Sequence, residues 1–386
     1  MTYPKIPVYQ PCLNANVKKY VNECIDSNWI SSHSSKGSFI SRFEQAFSSY
    51  AGCNYAATVC NGTVALHLAL AALGIGPGDE VLLPTLTYVA TANAVAYVGA
   101  TPVFVDSLPS TWQMDPENAA RRITARTKMI LAVHLYGHPC DLDALTALCR
   151  KHNLLLVEDC AEAFGTTYKG KHVGTFGHAG TFSFFGNKTI TTGEGGMVVC
   201  NEEKLYKRMT LLRGQGVSPT RHYWHEAIGY NYRMTNICAA IGLAQLEVAD
   251  RILDQKRWIA KEYENRLCAV PLEFHREIGD IGHSYWMCSA LTEQRDGLRN
   301  FLEQRGIETR PFFYPVHFLP MYLSQESYPV AESLSLRGLN LPSFPDLTET
   351  NLSQICNCIQ DFYSCQENDS FSSAAEAIAA APQTST

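Results

Sequence analysis

No apolar run in these 386 residues comes near the roughly 20 consecutive residues that a helix needs to cross a bilayer; the longest, such as Leu66–Leu73 and Met129–Leu135, fall far short. Met1–Tyr20 likewise carries no apolar stretch behind a basic flank, so a cytoplasmic protein without a membrane segment is expected. Clustered basic charge is missing too. The 31 Lys and Arg are dispersed, with never more than two adjacent, against 37 Asp and Glu, for a net charge of −6, and no basic stripe exists that would release counterions from nucleic acid. Neither nucleic acid nor an anionic membrane is therefore an expected partner. The 14 cysteines form no C-x-x-C pair and run singly from Cys12 to Cys365. In a chain long enough to build its own core, that points to reduced, mostly buried thiols rather than a disulfide frame. No repeat period is visible. With 46% hydrophobic and 18% charged residues, the composition excludes collagen-like, mucin-like and wholly disordered chains.

What is present is an alternation of short apolar runs with helical patterns. Strands are expected at Val81–Leu83, Val103–Val105, Met129–His134, Leu154–Glu158, Gly180–Phe184 and Met197–Cys200, with helices at Thr63–Leu73, Tyr88–Val98, Asp141–Lys151 and Glu202–Leu212 among them. Such alternation builds βαβ units, hence an α/β fold with a mainly parallel sheet covered by helices on both faces. From Thr235 to about Leu267 the chain turns strongly helical, long enough to link two domains, and the boundary is placed inside that stretch. The expected division is 1–245 as the larger α/β domain, 246–365 as a small α+β domain, and a Ser/Ala/Thr-rich tail, 366–386, as a disordered appendage. Within the small domain the pattern predicts a strand in Ser284–Leu291, a helix at Arg295–Arg305, a Pro-rich loop at Pro311–Pro320 and a closing helix from Leu347 to about Tyr363.

Among 13 lysines, Lys188 has the least ordinary surroundings: Thr-Phe-Ser-Phe-Phe leads into Gly-Asn-Lys, and a glycine-rich turn leads out to a second strand. A lysine drawn half out of water there has a lowered ammonium pKa, and a neutral amine is what attacks a carbonyl; a solvated turn lysine is the plain alternative. The buried-type strand Leu154–Glu158 delivers Asp159 at its C-terminal edge, where open α/β sheets place ligands. A carboxylate in that place can pair with a protonated pyridine nitrogen. Glu162 follows by three residues, as a second acid near the same ring or as a first-turn helix residue. Gly62 and Thr63 open an apolar helix whose unpaired amides make an anion site, although Asn61 or Thr63 could serve as a simple N-cap. Ser183 adds a hydroxyl near Lys188, and Tyr88 offers either a face for ring stacking or a core aromatic.

In this order the segments resemble the DegT/StrS-type nucleotide-sugar aminotransferases, pyridoxal 5′-phosphate enzymes of the aspartate aminotransferase fold (fold type I), over roughly residues 5–365. The resemblance implies a seven-stranded sheet of that type. It implies Gly62, Thr63 and Ser183 at the cofactor phosphate, Tyr88 stacked on the ring, Asp159 at the ring nitrogen, Glu162 near the ring hydroxyl, and Lys188 as the lysine that carries the cofactor. The segment Gly229-Tyr-Asn-Tyr-Arg-Met-Thr-Asn236 also matches, which implies that Asn231 reaches the phosphate of a neighbouring subunit's cofactor in a homodimer with shared active sites. Lys188 separates the chain from sugar dehydrases of the family, which carry histidine there.

Ser183–Gly196 and His222–Ala240 are most similar to family members that use L-glutamate to aminate C4 of GDP-4-keto-6-deoxymannose, giving GDP-perosamine. A UDP- or dTDP-linked keto sugar, a cyclitol ketone, or a non-catalytic regulatory role on the same scaffold are the rival readings. The segment Arg310–His317 resembles a family loop near the sugar, making Tyr314 and His317 substrate-side candidates. The spacings of His134 with His138 and of His222 with His225 could serve zinc, but Gly137 and Pro139 break the first context and no further ligands stand nearby, so no metal is expected.

Overall fold

Alternate residues along the central strands point into different apolar clusters, and this alternation stacks the molecule in layers. Val81 and Leu83 enter one cluster with Leu66, Leu68 and Leu70, while Leu82 between them packs with Ile130, Leu145 and Leu156 on the opposite side. The computed structural model that shows this describes residues 5–32 and 37–379.

Seven strands form the large sheet: β1 (Tyr55–Val59), β2 (Glu80–Pro84), β3 (Thr101–Val105), β4 (Thr127–Val133), β5 (Leu155–Asp159), β6 (Ala179–Ser183) and β7 (Gly196–Cys200). Their order is β1-β7-β6-β5-β4-β2-β3. β3, β2, β4, β5 and β6 run parallel, and β7 is antiparallel to both β6 and β1. The chain therefore moves outward from β2 to β3 and then returns to add β4, β5 and β6 on the other side. That reversal opens a crevice at the C-terminal ends of the parallel strands, where ligands bind in such sheets. The six expected strands all form, within a residue or two of their expected ends.

Two differences concern helices. Helices at Ala15–Ser27 and Phe39–Ala51 precede β1, which itself was not expected. The long helix expected over Thr235–Leu267 is two helices, Asn236–Leu246 and Ala249–Arg266. Val248, at φ −117° and ψ 12°, breaks the helical path between them.

A second, antiparallel sheet joins Glu273–Phe274, Cys288–Leu291, Gly338–Leu341 and Arg310–Pro311 in that order. Ile259, Tyr263, Leu298, Leu302, Ile355 and Ile359 from three helices cover it. A boundary at residue 245 remains our proposal, supported by this sheet falling wholly after it. The core is not divided so cleanly, because Trp286, Met287, Phe312 and Val316 pack in one cluster with Leu83 and Leu131 of the large sheet. Ile6, moreover, pairs with Ile307 and packs in the later unit. The last helix is Glu349–Ala379, so the expected tail starts inside it, and residues 380–386 lie outside the described residues. Among the described residues no helix is long and apolar enough to cross a membrane.

Candidate active site

β5 ends on two consecutive carboxylates that the pleat sends to opposite faces. Glu158 faces inward, where it accepts from the backbone amides of Gly174, Phe176 and Gly177 and lies 3.1 Å from His134 Nε2. Asp159 faces the crevice. Its Oδ2 accepts from Thr91 Oγ1 at 2.9 Å and its Oδ1 from the amide of Ala161 at 3.1 Å. Burial raises the Asp159 carboxyl above its ordinary range, against the hydrogen bonds of Ala161 and Thr91 and the charge of Lys188, which all favour the anion. Glu162, one turn further, accepts from the amide of Tyr136 at 2.9 Å, and burial pushes it up to about 7.

Lys188 lies within reach of the charge of both acids. Burial lowers its ammonium below the ordinary lysine value, and Glu162 and Asp159 oppose that shift. Its main chain is pinned from two sides: the Tyr9 hydroxyl donates to the Lys188 carbonyl, and Trp286 Nε1 donates to the Asn187 carbonyl at 2.8 Å.

The anion end is built where β1 and β6 meet the helix Gly62–Leu73. Asn61 is the N-cap: its side chain accepts from the amide of Val64 and its carbonyl from that of Ala65. The amides of Gly62 and Thr63 have no protein partner among the described residues. A side chain at position 62 would have its Cβ 2.7 Å from Ser183 Cβ, so only glycine lets the helix start lie against Ser183 and leave its amides bare. Tyr88, 57% exposed, stands beside Phe313 with ring centroids 5.7 Å apart.

A lysine with a lowered pKa, a buried carboxylate held toward it, a second acid, and a cradle of bare amides with a hydroxyl have the donor set of a pyridoxal phosphate site. Residues 11–360 match the DegT/DnrJ/EryC1/StrS aminotransferase family. The chain belongs to this family. Its cofactor is pyridoxal 5′-phosphate.

Relatives extend the match across nearly the whole length. The GDP-perosamine synthase of Escherichia coli O157:H7 is 57% identical over 363 residues, covering 93% of this chain and 99% of that protein. The GDP-perosamine synthase of Vibrio cholerae is 50% identical over 368 residues, covering 93% and 100%. Among solved structures, S. venezuelae DesV superposes with a TM-score of 0.86 at 34% identity, covering 90% of this chain and 94% of that one.

Gly62 thus lies against Ser183, and Asp159 and Glu162 lie close enough to Lys188 for their charges to act on it. Asn231 does not join them: it is exposed, bridged to Gly214 across a loop. Tyr314 is 71% exposed beyond Phe313. His317, read as a substrate-side residue, is buried beneath its loop, with Nδ1 2.7 Å from Thr85 Oγ1 and Nε2 3.4 Å from Glu332 Oε1. Its observed part is to fasten the Pro311–Pro320 loop to the end of β2.

Neither histidine pair converges. His138 Nδ1 bonds the Pro139 carbonyl, and His225 Nδ1 bonds that of Gln215. His134, Glu158 and Cys160 do bring ligand atoms within 4.8 Å of one another. The Glu158 oxygens, however, are occupied by three backbone amides, and His134 Nδ1 accepts from the amide of Cys140. Sequence reasoning missed Thr91, Tyr136, Tyr9 and Trp286. Only Thr91 had a usable signal, three residues after Tyr88 and so on the same helical turn.

Proposed function

We propose that this chain transfers the amino group of L-glutamate to C4 of GDP-4-keto-6-deoxymannose, giving GDP-perosamine and 2-oxoglutarate. The observation that carries the reading is Lys188 facing Asp159 and Glu162 in a crevice whose far end offers the Gly62 and Thr63 amides. The names and 50–57% identities of the relatives support the choice of sugar and nucleotide.

Bound pyridoxal phosphate supplies the electron sink that makes the donor's Cα–H acidic. Gly62, Thr63 and Ser183 would hold its phosphate, Asp159 would keep its ring nitrogen protonated, and Lys188 would carry it. Lys188 Nζ would accept the proton from the glutamate Cα and deliver it to the cofactor, and the same amine would run that transfer in reverse for the sugar. A lowered ammonium pKa suits that work, because the base must be neutral near physiological pH.

The working unit in this reading is a homodimer. Asn231 lies exposed at the end of the hairpin-like segment 214–231, which also carries Tyr223 and Ile228, 95% and 93% exposed. A second copy covering that hairpin would bury them and bring Asn231 to the neighbouring phosphate. Tyr314 is the substrate-side residue of the reading.

The test incubates purified protein with cofactor, L-glutamate and a panel of GDP-, UDP- and dTDP-linked 4-keto sugars, and reads products by mass. Conversion of GDP-4-keto-6-deoxymannose to the amino sugar is expected. Amination of the UDP or dTDP sugar alone would reassign the nucleotide, and no amination of any member would overturn the reading.

A further inference from the structure

Lys188 Nζ lies 4.0 Å from the centroid of the Trp286 ring, over its face. Three further observations fix that ring. Its own Nε1 donates to the carbonyl of Asn187, so the indole grips the main chain of the segment whose side chain it faces. The ring is buried and lies 12° from parallel with that of Tyr136, at 6.1 Å between centroids. Tyr136 in turn holds Glu162 through its amide. The row continues through Phe313, 5.5 Å from Tyr136, to Tyr88. One aromatic wall therefore runs the length of the crevice, from the face expected to stack on the cofactor to the amine expected to carry it.

We propose that the face of Trp286 is the station that holds the Lys188 ammonium whenever that amine is not bonded to the cofactor. The inference deepens the proposed function and rests on Lys188 being the cofactor lysine. An aliphatic amine on four rotatable bonds, once released, sweeps a wide volume and gains hydration by leaving the crevice. A ring face attracts the cation electrostatically without accepting its proton, so it keeps Nζ near Asp159 and Glu162 and favours the ammonium form. The charges of Glu162 and Asp159 favour the same form. Trp286 thus positions the amine and tunes its proton affinity together.

The test reads Lys188 directly in the full-length, cofactor-free chain, by the pH dependence of its modification with an amine-reactive ester, located by peptide mass spectrometry. The protein is produced with tryptophan replaced by mono-, di- and trifluorotryptophan, which drains the ring face of negative potential at nearly constant shape. The groups facing Nζ, Glu162 and Asp159, are unchanged across the series, as is Tyr9 on the Lys188 carbonyl. The apparent pKa of Lys188 should fall stepwise with added fluorine, by roughly half a unit to one unit in total. In a Trp286→Phe background, which leaves the chain's other tryptophans fluorinated, the trend should vanish. A flat series in the parent chain, or a slope that persists without Trp286, would overturn the proposal. Because no cofactor is present, the outcome does not depend on which lysine carries it or on whether a sugar is aminated.

Discussion

Thr91 Oγ1 donates a 2.9 Å hydrogen bond to Oδ2 of Asp159, across 68 residues of chain. Behind it, Thr87 Oγ1 lies 3.1 Å from Thr91 Oγ1, so a short chain of buried hydroxyls runs from the crevice end of β2 to the carboxylate. With the Ala161 amide on the other oxygen, Asp159 is fixed in direction, and both hydrogen bonds favour its anion against the burial that raises its carboxyl.

Replacing that hydroxyl tests the arrangement. Thr91→Val keeps the shape and removes the donor, which costs about 1–3 kcal/mol for a buried acceptor left unpaired. Spectral titration with pyridoxal phosphate should show affinity down about tenfold in Thr91→Val and nearly intact in Thr91→Ser. Equal affinity in both variants would show that Asp159 does not depend on Thr91.

Glu162 makes a stability prediction of definite sign. Its ordinary value is 4.5 and burial takes it to about 7, so between those values the folded chain keeps a proton that the unfolded chain releases. Stability contributed by the protonated form is therefore full below the unfolded value and declines as pH rises through the window, by about 3 kcal/mol in all. Glu162→Gln retains an acceptor for the Tyr136 amide and carries no charge. In the cofactor-free chain it should be more stable than the parent at pH 8 and no better at pH 4. A gain of equal size at both pH values would contradict the assignment.

A buried histidine cluster behaves in the opposite sense. The rings of His138 and His275 are 4.9 Å apart, as are those of His275 and His283, and burial lowers His138 from 6.5 to about 4. His275 and His283 move the same way, by burial and by the neighbouring histidines. In that window the unfolded chain binds a proton that the native one refuses, so stability should fall as pH drops from about 6.5 toward 4, by about 3 kcal/mol for His138 alone. Urea unfolding across that range should give a shallower loss in His138→Asn than in the parent.

Arg213 and Glu44 anchor the strand that leads to the anion cradle. Arg213 Nη1 donates to Glu44 Oε1 at 2.7 Å and to the Thr58 carbonyl at 2.6 Å, and Glu44 accepts from the Thr58 amide at 2.8 Å. With both side chains nearly buried, Arg213→Ala strands the carboxylate and should cost about 3–5 kcal/mol in denaturant unfolding. The double replacement Glu44→Leu with Arg213→Met should recover much of it. A single variant as stable as the parent would mean that the pair holds nothing.

The parallel strands were legible because each is a short apolar run bounded by turn residues, and all but the edge strand β3 are largely buried on both faces. β1, Tyr-Ala-Ala-Thr-Val, carries too little β-branched content to stand out, and its place is set by antiparallel pairing with β7, nearly 140 residues on. The helices before it did carry local marks, Asn14 and Ser38 as N-caps, but lay outside the alternation that organised the reading. Lys188, Asp159 and Gly62 could be singled out as candidates because each stands in or beside a turn at the edge of an element among unusual neighbours. Tyr136, Tyr9 and Trp286 could not, since their partners lie far along the chain and Tyr136 depends on a backbone φ of 55° that no residue pattern announces.

The most direct measurement locates the cofactor. Purified protein loaded with pyridoxal phosphate is reduced with borohydride, digested, and its peptides weighed. The account predicts a pyridoxyl group on Lys188, with neither label nor visible absorbance band in Lys188→Ala. A label on another lysine, or a protein that binds no cofactor at all, would contradict it.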